Sequence, residues 1–276
     1  MTGKPLRAIC MAGLTAAMVG YGTLAAVAET VSEDPWPALA RDVFMNKPLA
    51  DGTGLIALDM PYRAEDAAVV PLTFRVTMPA GDKRTLKALT VIIDRNPSPV
   101  AASFTFGSKA GISALSTRVR VNSYTDVHAV AELSDGKLYM VKRYVKAAGG
   151  CSAPAIKDAS EAKINIGQMR FRQFSPPAAT PGPLRQAQIM IRHPNNSGLQ
   201  MDQITHLYIP PFFVEHLKVW QGDQLVLAMD GGISISENPN IRFTYRPNGA
   251  ASFRAQAIDT EKHVYKGKWP ASPSGT

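Results

Sequence analysis

The sharpest chemical feature of the 276-residue chain is a thiol behind two glycines, Gly149-Gly150-Cys151. Cysteine reacts as its thiolate, which calls for access, room and nearby positive charge. Lys142, Arg143 and Lys146 stand just upstream and are candidates to stabilise a thiolate or an anionic adduct, with a solvated strand face as the alternative. Gly149 and Gly150 lack a Cβ and have wide backbone freedom, so the pattern predicts a flexible arm that presents Cys151 as a covalent attachment site. A free cysteine is more often a small buried residue. Here the flanking Ala, Gly, Ser and Pro residues supply little apolar bulk to bury it, so an exposed thiol is expected. No histidine signature accompanies it as base, and the expected protein is a carrier or accessory, without catalytic residues.

The other candidates for chemistry are His128, His193, His206, His216 and His263. His193, His206 and His216, with Met190 and Met201 between them, suit a soft metal such as copper. Their spacing matches no ligand motif, so no metal site is expected. Glu65-Asp66 reads as a turn beside a strand start. No phosphate loop or dinucleotide fingerprint is present, and no bound cofactor is expected beyond a covalent adduct on Cys151.

Residues 1–28 read as an export signal. Lys4 and Arg7 precede an apolar run, and Ala26-Val27-Ala28 fits a cleavage site before Glu29. Export with cleavage after Ala28 implies a periplasmic protein with no membrane anchor. It also removes Cys10, one of two cysteines, so the mature thiol has no internal disulfide partner. The net charge of +8 falls to +6 with the loss of Lys4 and Arg7. The basic residues are scattered, which argues against nucleic acid and leaves anionic small molecules or an acidic partner.

The elements that must position the thiol read as β almost throughout. Val70, Leu72, Phe74, Val76 and Met78 alternate with Pro71, Thr73, Arg75 and Thr77, the period of a half-buried strand. The same alternation runs through Ala102 to Phe106, Val127 to Leu133 and Ala187 to Ile191. Two hairpins are expected, one turning at Gly222-Asp223 and one at Pro247-Asn248-Gly249, the latter joining Ile241–Tyr245 to Ala251–Ala255. Helix is expected from Trp36 to about Asn46 and near Ala159 to Gly167. The predicted fold is all-β: two immunoglobulin-like antiparallel sandwiches in tandem with a short N-terminal helix. The boundaries read as 29–151 for the first sandwich, 152–166 for a linker and 167–276 for the second. The Pro-rich tract 175–183 reads as a long loop of the second sandwich.

Several short motifs in this order resemble the SoxY and SoxZ subunits of the periplasmic sulfur-oxidation carrier, fused in one chain. The SoxY-like part has Ala64-Glu65-Asp66, Val70-Pro71, Asn96-Pro97-Ser98-Pro99 and Gly149-Gly150-Cys151. The SoxZ-like part has His193-Pro194 with Gly198, then Ile209-Pro210-Pro211-Phe212-Phe213-Val214, then Ser236-Glu237-Asn238-Pro239. The resemblance implies a carrier whose intermediates are attached to Cys151 while other periplasmic enzymes act on them. One departure is plain: in SoxY the cysteine is followed by two glycines and the chain end, whereas Ser152-Ala153-Pro154 follows here. The fused form is most similar to carriers associated with quinoprotein dehydrogenases. This implies a pyrroloquinoline-quinone dehydrogenase or its c-type cytochrome as a partner. Two other readings stay open: an adaptor docking such a dehydrogenase with its cytochrome, and a thiol-redox or copper-handling module.

Overall fold

The computed structural model describes residues 34–154, 165–174 and 184–271. The export signal, most of the expected linker with its helical piece, and the Pro-rich tract lie outside the described residues. One helix, α1 (Trp36–Phe44), precedes the strands of the first half. These are β1 (Leu49–Asp51), β2 (Ile56–Asp59), β3 (Val70–Val76), β4 (Leu86–Ile93), β5 (Val100–Phe106), β6 (Ala114–Val119), β7 (Thr125–Leu133) and β8 (Leu138–Val145). The second half contributes β9 (Met169–Phe174), β10 (Arg185–Ile191), β11 (Val214–Gln221), β12 (Gln224–Gly231), β13 (Asn240–Tyr245), β14 (Ser252–Asp259) and β15 (Val264–Pro270).

The chain is all-β as expected, and the alternating segments bury the faces their period assigns to them. Val70, Leu72 and Phe74 are fully buried in β3, as are Ala187 and Ile189 in β10. β7 departs from strict alternation, with Val127 through Ala131 all buried. The cause is α1, whose Trp36, Leu39, Val43 and Phe44 pack over Val130, Ile92 and Leu138 on the outer face of the sheet. Trp36 stacks on His128 with ring centroids 3.5 Å apart, and His128 Nδ1 lies 2.9 Å from Asp94 Oδ1. The helix stops where Met45 and Asn46 turn to positive φ.

The two halves are joined strand to strand. One nine-stranded sheet runs β1-β8-β7-β4-β5-β12-β11-β14-β15, and one six-stranded sheet runs β2-β3-β6-β13-β10-β9. β5 of the first half pairs antiparallel with β12 of the second, Phe104 opposite Met229. β6 pairs with β13, Leu115 opposite Phe243. The core is correspondingly continuous, with Phe74, Phe104 and Leu115 in one cluster with Phe243 and Phe253.

The expected hairpin around Pro247-Asn248-Gly249 is corrected: β13 lies in the six-stranded sheet and β14 in the nine-stranded one. The connection is an arch across the core, over which Tyr245 and Phe253 pack edge to face with ring centroids 5.2 Å apart. Asn248 ties the arch down by donating from Nδ2 to Gln221 O at 3.0 Å.

At the β6–β13 seam Thr244 Oγ1 accepts from Ser113 N at 2.7 Å and Ala114 N at 3.0 Å. Thr244→Val keeps the shape and leaves both half-buried donors without this acceptor, a cost of about 0.5–1.5 kcal/mol. The expected result in thermal melts is a lower midpoint with one transition retained for both halves; two separate transitions would show that the seam does not couple them.

Candidate functional site

After β8 the chain leaves the sheet and runs along two backbones of its own half. Lys146 N donates to Tyr62 O at 2.7 Å, and Ala64 N donates to Lys146 O at 3.1 Å. Gly149 N then donates to Asn122 O at 2.9 Å, and Gly150 N to Val121 O at 3.1 Å. Cys151 N reaches Asn122 Oδ1 at 3.3 Å. The turn thereby brings residue 151 beside the 120–122 segment.

The arm expected at Gly149-Gly150 is therefore corrected to a docked turn, and the expected exposed thiol to a buried one, with Cys151 at 0% exposure. The glycines serve close approach instead of swing. A Cβ on Gly150 would stand 2.0 Å from Ala67 O and 2.6 Å from Val121 O, and Gly149 has φ +75°. The flanking residues are small because the space is narrow.

The second half closes the seat. Ser197 Oγ donates to Cys151 O, and Gln200 Nε2 donates to Ala153 O at 3.1 Å. Gln200 Oε1 in turn accepts from Ser197 N at 3.0 Å. Next to Val121 and Asn122, Arg120 is 2% exposed. Its Nη1 donates to Ile235 O at 2.6 Å and Ile233 O at 3.3 Å. Asn96 binds the strand from below: its Nδ2 donates to Arg120 O and Ser234 Oγ, both at 2.8 Å, and its Oδ1 accepts from Asn122 N at 2.8 Å.

Burial pushes the Cys151 thiol up to about 11, against a partial opposing pull from the Arg120 charge. Burial likewise lowers Arg120, offset first by Cys151 and then by Glu237. The cation acting on the thiol is thus Arg120. Of the upstream candidates, Lys142 Nζ lies 2.8 Å from Asp126 Oδ2, Lys146 Nζ sits over the Tyr62 ring at 4.9 Å, and Arg143 is exposed on β8. Arg120 escaped sequence reading because Val119 and Val121 flank it, and alternation assigns an arginine between two valines to solvent.

The histidines go elsewhere. His193 is buried with Nδ1 accepting from Asn195 N at 3.1 Å, and its Nε2 faces Asp259 Oδ2 at 3.6 Å. Asp259 Oδ2 also accepts from Tyr265 OH at 2.8 Å and lies 3.0 Å from His263 Nδ1. His216 Nδ1 pairs with Asp230 at 2.7 Å, and His206 sits in an exposed loop. Among the described residues no three His, Cys, Asp or Glu side chains group to hold a metal ion.

Residues 40–151 match the family of the sulfur oxidation protein SoxY, and residues 172–270 match that of the sulphur oxidation protein SoxZ. The chain is a SoxY domain fused to a SoxZ domain. The SoxY match ends on Cys151 itself, and the seat's other wall, Ser197 and Gln200, comes from the SoxZ domain. These are the domains of a sulfur-oxidation carrier protein. Among solved structures, the sulfur carrier protein SoxY from Chlorobium limicola f thiosulfatophilum is 26% identical, covering 41% of this chain and 91% of its own, with a TM-score of 0.34. Superoxide reductase (neelaredoxin) from Ignicoccus hospitalis is 9% identical, covering 34% and 82%, with a TM-score of 0.29. No curated protein matches the chain in sequence.

Two outcomes follow for the Cys10→Ser chain. The folded pKa of Cys151, about 11, lies above the ordinary thiol value of roughly 8.5, so the buried thiol's contribution is whole below pH 8.5 and lost as pH rises towards 11. Urea titrations should show stability relative to Cys151→Ser falling by about 1.4 kcal/mol per pH unit in that window; a constant difference would contradict the burial. Gly150→Ala, which cannot share space with Ala67 O, should unseat the turn and speed Cys151 reaction with a chromogenic disulfide at least roughly tenfold, the factor for a 1.4 kcal/mol shift in seating.

Proposed function

We propose that this SoxY–SoxZ fusion is a periplasmic, non-enzymatic carrier that holds a sulfur-containing intermediate covalently on Cys151 and presents it to partner enzymes of sulfur oxidation. The observation that carries the reading is a thiol at the end of the SoxY domain, seated by hydrogen bonds from both domains. A structural cysteine needs no glycine pair pressed against two carbonyls and no latch from a second domain. The leader-like residues 1–28 support export, which leaves Cys151 as the mature chain's thiol.

The resting seat and the carrying state are different states. The sulfur attacks only as thiolate, and burial opposes deprotonation, so loading requires the 149–154 turn to leave its seat. The hydrogen bonds from Ser197 and Gln200 set the cost, about 0.5–1.5 kcal/mol each. Because Ser152-Ala153-Pro154 continue the chain, the unseated thiol stays tethered at both ends and must be met from outside. The loop that begins at this seat offers a contact: Ile204, Leu207 and Tyr208 are 90%, 69% and 66% exposed, and such grouped apolar side chains mark interaction surfaces. A pyrroloquinoline-quinone dehydrogenase or its c-type cytochrome is the proposed finer partner.

Intact-mass measurement on protein isolated from its native cells tests the reading. The expected result is an added mass that localises to the Cys151 peptide and disappears in Cys151→Ser; an unmodified thiol under sulfur-oxidising growth, with full function in Cys151→Ser, would favour the adaptor. In the same assay Ser197→Ala with Gln200→Ala should load several-fold faster.

A further inference from the structure

Arg120 presents a charge problem that the fold leaves unsolved without the thiol. It is almost fully buried, and among the described residues no carboxylate lies within ion-pair distance of it. Its backbone is satisfied, with N donating to Ser234 O at 2.7 Å and O accepting from Asn96. Its Nη1 is used by Ile233 O and Ile235 O, yet its Nε is buried with no hydrogen-bond partner. A buried guanidinium with an orphaned donor costs several kcal/mol, and a neutral side chain could fill the space. Two carbonyls do not neutralise it, and Glu237 acts on it only from beyond ion-pair distance. The turn bonded to Val121 and Asn122 brings Cys151 next to Arg120, and the charges of these two side chains act on each other.

We propose that Arg120 is the anion-recognising residue of the Cys151 site, favouring adducts that end in a negative charge over neutral adducts of the same size. The inference rests on the carrier reading of Cys151 and deepens it by naming the residue that reads the charge of the cargo. Guanidinium presents several N–H donors in one plane and bonds oxyanions in pairs, so the unpartnered Nε supplies what a terminal oxyanion accepts. An anionic adduct restores the pairing that Arg120 lacks and favours return of the turn to its seat. A neutral adduct leaves the guanidinium as it was and gains nothing from reseating. The seat then distinguishes loaded from unloaded carrier by charge.

Iodoacetate and iodoacetamide test this on the full chain carrying Cys10→Ser. The Cys151 thiolate displaces iodide from either, leaving an anionic carboxymethyl or a neutral carbamidomethyl group of nearly equal size. The carboxymethylated protein is expected to melt roughly 2–4 °C above the carbamidomethylated one, with the gap lost in Arg120→Met and largely regained in Arg120→Lys. A gap that persists in Arg120→Met would assign the effect to the overall basic charge and overturn the proposal, as would no gap in the wild type. If Arg120→Met does not fold, the Nε–H resonance of Arg120, assigned by its disappearance in Arg120→Lys, serves instead. It should move on carboxymethylation and stay put on carbamidomethylation, and equal responses would overturn the assignment. A purely structural role for Arg120 predicts that both adducts respond alike. The carrier reading fails separately, on the absence of a native Cys151 adduct, and neither failure implies the other.

Discussion

Everything at the candidate site depends on a short docking of the Gly149–Cys151 turn against Val121 and Asn122. Gly149 N and Gly150 N donate to Asn122 O and Val121 O, and the Asn122 side chain takes the Cys151 N–H. Such a pairing needs the partner backbones within bonding distance, and Ala67 O crowds the same place. Glycine is the residue that permits it. The same two residues that read as freedom in the sequence act in the fold as clearance.

The pairing by itself would leave Cys151 at an edge, and the second domain turns that edge into a seat. β5–β12 and β6–β13 extend both sheets of the SoxY domain into the SoxZ domain, which fixes how the 193–200 segment arrives beside residue 151. Ser197 and Gln200 then reach the carbonyls of Cys151 and Ala153. Ser236 Oγ donates to Ala68 O at 2.7 Å, and Asn238 N to His193 O at 2.8 Å. Several motifs that carry the family resemblance thus serve one joint. Fusion of the domains keeps the two walls of the seat on one chain and removes the entropy of bringing them together.

The electrostatics of the seat oppose one another. Desolvation raises the thiol and lowers the guanidinium, while each favours the charged form of the other. Desolvation wins, so the docked state holds a neutral, unreactive thiol beside a cation that, among the described residues, has no carboxylate within ion-pair distance. That protects the thiol, since a permanently exposed thiolate is open to oxidation. On the carrier reading proposed above, reactivity belongs to the unseated turn, and the seat's hydrogen bonds set how often it is available.

The sequence by itself determined the all-β class, the faces of strands such as β3 and β10, the terminal helix and Cys151 as the residue of interest. Each of these is local, since a period of two or a glycine pair is complete within a few residues. Tertiary structure alone decided that the thiol is buried, because its cover comes from Arg120–Asn122 some thirty residues before it and from Ser197 and Gln200 more than forty after it. It also decided that Arg120 points inward, against the alternation of its neighbours, since a buried guanidinium is tolerated only where carbonyls such as Ile233 O and Ile235 O come from the other domain. And it placed β13 and β14 in different sheets, so that Tyr245 and Phe253 pack edge to face across the core. Spacing along the chain records none of this; register between distant strands does.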